Sequence, residues 1–146
     1  MTMRQKQSLH KLNYYWCVLA RCPSDIVFLV DYSGSIGSSN FATVKSFLRQ
    51  LVGRLDIDSG NTRVALVTYS TRVRPRFFLS SYTSVASVQS AISRLTYSGG
   101  GTNTAAALAY VRTAMLTSAR GDRSNSPNVV VVLTDGRSSS SSTTQV

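Results

Sequence analysis

Two short stretches limit what this chain can fold into. Asp25-Ile26-Val27-Phe28-Leu29-Val30 and Asn128-Val129-Val130-Val131-Val132-Leu133-Thr134 are nearly unbroken apolar, β-branched runs. Runs of that length and composition read as strands buried on both faces, which occur in parallel sheets covered by helices. Each is followed at once by an aspartate. The first leads into Asp31-Tyr32-Ser33-Gly34-Ser35 and the second into Asp135-Gly136. In open α/β sheets, ligands bind in the crevice outside the carboxyl ends of the strands. A carboxylate beside neutral hydroxyl oxygens is a donor set for a hard cation, Mg²⁺ above all. Gly34 is expected to keep the turn slim and to permit backbone angles that a side chain would penalise.

The stretches between supply the remaining layers. Ser38 or Ser39 is expected to cap a helix whose apolar stripe is Phe41, Val44, Phe47, Leu48, Leu51, Val52 and Leu55. Arg63–Ser70 is a second buried strand. After a turn at Thr71-Arg72, Val73–Leu79 carries Pro75 between two arginines, the marks of an antiparallel edge strand. Val85, Val88, Ile92 and Leu95 predict a short helix capped by Thr83 or Ser84. The glycine-rich segment Ser98–Thr104 opens onto a further helix with Leu108, Val111 and Met115 as its stripe. The fold class is therefore α/β: a doubly wound, Rossmann-like, three-layer arrangement on a mostly parallel sheet with one antiparallel edge strand. If the strands ending in Asp31 and Asp135 are neighbours, their carboxylates converge, and the glycine-rich loop can bring the Thr102 hydroxyl to the same place.

Asp-x-Ser-Gly-Ser at 31–35, Gly-Gly-Thr-x-Thr at 100–104 and Thr-Asp-Gly at 134–136 together resemble the metal-ion-dependent adhesion site of von Willebrand factor type A domains. The resemblance is closest to those of extracellular matrix proteins such as the matrilins and collagen-VI-like chains. It covers Asp25 to Arg137. It implies a metal site of Asp31, Ser33, Ser35, Thr102 and Asp135, with the hydroxyls binding directly and the aspartates often acting through water. The implied cofactor is Mg²⁺, with Mn²⁺ or Ca²⁺ as alternatives. The implied partner is a matrix protein or cell-surface receptor that supplies a carboxylate, and the implied location is extracellular. With neutral hydroxyls as its direct ligands a divalent cation keeps waters, one of them exchangeable for a partner's carboxylate. Tyr32 and Asn103 would either shape the ligand face or pack. Domains of this family continue beyond Asp135, so the chain reads as C-terminally truncated, with the last strands and helices missing and Asp135's strand left as an apolar edge.

Composition bounds the rest. At 146 residues and 42% hydrophobic content, one globular domain is expected. Residues 1–24 read as a separate basic leader with the charge-then-apolar order of a secretory signal but no clear cleavage site, 25–137 as the domain and 138–146 as a Ser/Thr-rich tail. Cys17 and Cys22 fit no zinc spacing. No apolar run approaches the roughly 20 residues of a membrane span. The net charge is +10, with Lys45, Arg49, Arg54, Arg63, Arg72, Arg74, Arg76, Arg94, Arg112, Arg120 and Arg123 spread along the chain and no glutamate. Such a surface attracts polyanions, so the competing reading is a charge-driven scaffold for acidic matrix polymers with no metal dependence. No nucleic-acid-binding motif accompanies the charge. Enzyme readings are weaker. Ser33-Gly34-Ser35-Ile36-Gly37 lacks the first glycine of a nucleophile elbow, and the single His10 lies in the leader. The glycine loop lacks the Gly-Lys-Ser/Thr ending of a phosphate loop. A non-catalytic binding module is expected.

Overall fold

The computed structural model describes residues 23–136. The expected leader, apart from Pro23 and Ser24, the expected tail, and Cys17, Cys22 and His10 lie outside the described residues. In chain order the elements are β1 (Ser24–Asp31), α1 (Gly37–Val52), β2 (Thr62–Tyr69), β3 (Val73–Phe77), α2 (Val85–Ser93), α3 (Thr104–Tyr110), which runs on into a π-helical turn (Val111–Met115), and β4 (Asn128–Leu133). The four-stranded sheet has the order β3-β2-β1-β4. β1 pairs in parallel with both β2 and β4, and β3 pairs antiparallel to β2. The sheet is mixed but mostly parallel and flanked by helices, as the runs and motifs predict.

Alternation along β1 builds two cores. Ile26, Phe28 and Val30 meet Phe41, Leu48 and Val52 of α1 and Val88 and Ile92 of α2 on one face. Val27 and Leu29 meet Ala107, Val111, Met115 and Leu79 on the other. Both faces are covered, which is why β1 reads as a continuous apolar run rather than an alternating one. β4 is covered on one side only: Val129, Val131 and Leu133 pack on the α1/α2 core, while Val130 and Val132 are 38% and 39% exposed.

Three local expectations are corrected. Helix α1 starts at Gly37, not after a serine cap; no side chain caps it, and Gly37 takes φ 74°, which a residue with Cβ rarely adopts. Phe47 is half exposed; it sits at the rim of the stripe, and Phe41, Leu48 and Val52 do the packing. Gly34 is absent from the positive-φ positions. Its requirement is space: a Cβ there would lie 3.3 Å from the Gly100 carbonyl oxygen. The second helix behaves as expected, with the Ser84 hydroxyl accepting from the Ser87 amide at its start.

Part of the basic charge is engaged by the fold's own carbonyls and acids. Arg123 pairs with the fully buried Asp25 at 2.7 Å and donates to the carbonyls of Gly60, Ser24 and Asn61. The Arg123 amide also donates to Asp25 Oδ2 at 2.7 Å. This clamp ties the start of β1 to the turn before β2 and to the loop before β4. Arg63 donates to the Gly121 carbonyl, and Lys45 Nζ to the carbonyls of Ser93 and Leu95 at the end of α2. Removing the partner of a buried carboxylate leaves an uncompensated charge, so Arg123→Ala is expected to cost about 3–5 kcal/mol in urea unfolding. A loss under about 1 kcal/mol, the range of an exposed pair, would contradict the clamp.

Candidate metal centre

Asp31 ends the central strand and is fully buried. Its Oδ1 accepts the Ser33 amide at 2.9 Å, an Asx-type turn that reverses the chain and presents both serines. Its Oδ2 accepts the Thr134 hydroxyl at 3.0 Å. The Ser33 and Ser35 hydroxyl oxygens lie 3.1 Å apart. Thr134 directly follows β4, and the β1–β4 register pairs Val30 with Leu133, so Asp135 stands at the same sheet edge as Asp31. This adjacency comes from β4 lying beside β1.

The third motif reaches the site through backbone bonds. Gly34 N–H donates to the Gly100 carbonyl at 2.8 Å and Gly99 N–H to the Tyr32 carbonyl at 3.0 Å, zipping the glycine-rich loop to the 32–34 loop. Gly101 N–H donates to Thr71 Oγ1, and Asn103 N–H to the Ser70 carbonyl. Thr102 is held between these bonds and is buried. The loop amides at 99, 101 and 103 are thus engaged within the protein, which argues against a phosphate cradle. Asn103 is the cap of α3, its Oδ1 accepting the Ala106 amide. Tyr32 is buried, tilted against Phe41 at 6.2 Å between ring centroids, with the Arg76 guanidinium 5.6 Å from its own centroid.

Two residues went unforeseen as site members. Thr134 orients Asp31 and was visible only as part of Thr-Asp-Gly. Tyr69 ends β2 opposite Asp31 in the register. Its hydroxyl is buried and finds no hydrogen-bond partner of good geometry among the described residues, although Thr104 and Thr134 lie near enough to favour its ionised form. Burial pushes its pKa above the ordinary 10.0, and the charges of Asp31 and Asp135 push it in the same direction. Parity along β2 would have identified it had the strand order been known.

The residues fit a hydrated hard cation. A buried carboxylate is costly without a counter-charge, and among the described residues Asp31 bonds to a neutral amide and a neutral hydroxyl. Among the described residues no three carboxylate, imidazole or thiol side chains converge; the donors are oxygens, mostly neutral.

The profile of the von Willebrand factor type A domain matches residues 25–146, and the chain belongs to that family. Among curated relatives it is 45% identical over 119 residues to the collagen alpha-4(VI) chain of Mus musculus, covering 80% of this chain and 5% of that one. It is 42% identical over 118 residues to matrilin-1 of Mus musculus, covering 79% and 24%. The chain thus spans a quarter or less of the length of these relatives. Among solved structures, proximal thread matrix protein 1 from the mussel byssus superposes with a TM-score of 0.77 at 25% identity, over 82% of this chain and 32% of that one. A further structure of that protein, described as having a zinc-occupied MIDAS motif, superposes at 0.75.

The folded protein keeps the Tyr69 proton to higher pH than the unfolded chain. In metal-free buffer, stability conferred by that protonated hydroxyl is present below pH about 10 and falls as pH rises beyond it. Tyr69→Phe is expected to flatten the alkaline limb of a stability–pH curve measured in EDTA. An unchanged limb would contradict a Tyr69 hydroxyl held protonated by burial.

Proposed function

We propose that this chain is a non-catalytic adhesion module of the extracellular matrix that holds one divalent cation, Mg²⁺, and through it grips a carboxylate of a partner protein. The observation that supports this most is the placement of Asp31 and Asp135 on adjacent strand ends, beside the paired hydroxyls of Ser33 and Ser35. Ser33, Ser35 and Thr102 would hold the cation directly, and Asp31 and Asp135 would balance its charge. Bound there, the cation supplies a Lewis-acidic position that a partner's carboxylate can take. The zinc-occupied motif of the byssus protein and the matrix character of the relatives support the reading.

The protein's part is preorganisation. The Ser33 amide and the Thr134 hydroxyl fix the Asp31 carboxylate before any ligand arrives, and the zipped loops fix Thr102. With neutral hydroxyls as direct ligands and the carboxylates a shell further out, the ion would stay Lewis-acidic toward the partner's acid. No helix among the described residues is long and apolar enough to cross a membrane.

Retention of the chain on a decellularised matrix preparation separates this from charge-driven binding. With metal bridging, EDTA or Asp31→Ala is expected to lower retention at least about tenfold, while raising salt from about 0.15 M to about 0.5 M, which screens exposed charges, changes it little. Retention that ignores EDTA and collapses with salt would establish the polyanion scaffold instead.

A further inference from the structure

Beside the candidate metal centre the surface opens into a cleft of about 260 Å³, lined by Tyr32, Thr71, Arg72, Arg74, Ser98 and Gly100 among others. That is smaller than the roughly 300–1,000 Å³ of a small-molecule pocket, and it suits a side chain rather than a cofactor. Arg72 and Arg74 are exposed, unlike Arg123, Arg63 and Arg120, which are engaged by carbonyls or side chains within the fold. The cleft and the metal centre share a wall. Gly100, which lines the cleft, accepts the amide of Gly34, the residue between Ser33 and Ser35. Gly101 is tied to Thr71 at the cleft lip by a 2.9 Å bond. The wall is kept thin by Gly100 itself: at φ 100° a Cβ there would come within 3.2 Å of Thr71 Oγ1 and begin to fill the cleft.

On the metal-bridging reading, we infer that the partner is an acidic polypeptide segment carrying two carboxylates close in sequence. One is for the cation; the other seats in the cleft against Arg72 and Arg74. Guanidinium forks are matched to carboxylates in planar, bidentate geometry. Two of them lining one small cleft suit a placed side chain, whereas a sulfated glycan is better served by a long track of cations. The second carboxylate gives this site a preference that the metal alone, which takes any carboxylate, cannot supply.

The test pans a displayed random-peptide library on the full chain in Mg²⁺ and elutes with EDTA. Affinities are then measured for the selected peptide and for a version with one acid changed to its amide. The expected result is enrichment of paired acids and about a fivefold loss on amidation of the second acid, the upper worth of an exposed charged pair of good geometry. Arg72→Gln/Arg74→Gln is expected to erase that fivefold difference. Arg54→Gln/Arg112→Gln, the same charge change at exposed positions elsewhere, keeps it. EDTA-eluted peptides that carry one acid, or a preference lost equally in both double variants, would overturn the cleft while leaving metal bridging intact. If no peptide is released by EDTA, metal bridging itself fails. If heparin competes for the parent chain but not for Arg72→Gln/Arg74→Gln, and the peptides show no paired-acid preference, the cleft is a glycan site instead.

Discussion

The structure depends on one buried carboxylate. Asp31 sits at the end of the central strand, fully out of water, held by one amide and one hydroxyl. Both bonds do more than satisfy the acid. The amide bond turns the chain so that Ser33 and Ser35 face one point, and the hydroxyl bond draws the end of β4 against the end of β1. An acid in such a place is tolerable when cationic charge is brought to it, and the surrounding oxygens are of the kind that hold a hard cation.

The opposite end of the sheet is organised by the other buried acid, and the contrast explains the division of labour. Asp25 is answered by Arg123, a guanidinium whose remaining donors reach three carbonyls. That end is closed by charge from within the chain and fixes how β1, β2 and β4 align. At the Asp31 end the described contacts of the carboxylate are neutral. One pole of the sheet is closed from within the chain, and the other is the one where the proposed function seats an ion and a partner.

The site motifs could be read in the sequence because each lies directly after a strand or before a helix, where local pattern is strongest. The structure brings Asp31, Ser33 and Ser35 together and bonds the loop that carries Thr102 to theirs, and the apolar runs form the parallel strands. What escaped depends on lateral order. Tyr69 belongs to the site because β2 lies beside β1, and Thr134 because β4 lies on the other side; neither adjacency is written locally. Gly34 serves close approach rather than φ, and in sequence a glycine looks the same in either role. Arg123 looked like surface charge because its partner is far away in the chain. Phe47 sits at helical spacing with the core but on the rim of the stripe, where periodicity alone does not distinguish burial from exposure.

Calorimetric titration of the metal-free chain with Mg²⁺ tests the central claim most directly. Saturable binding of one ion per chain, lost in Asp31→Asn and in Asp135→Asn while both variants keep the parent's circular dichroism, is the result the account predicts. Absence of saturable binding in the parent, or binding that survives both substitutions, would contradict it.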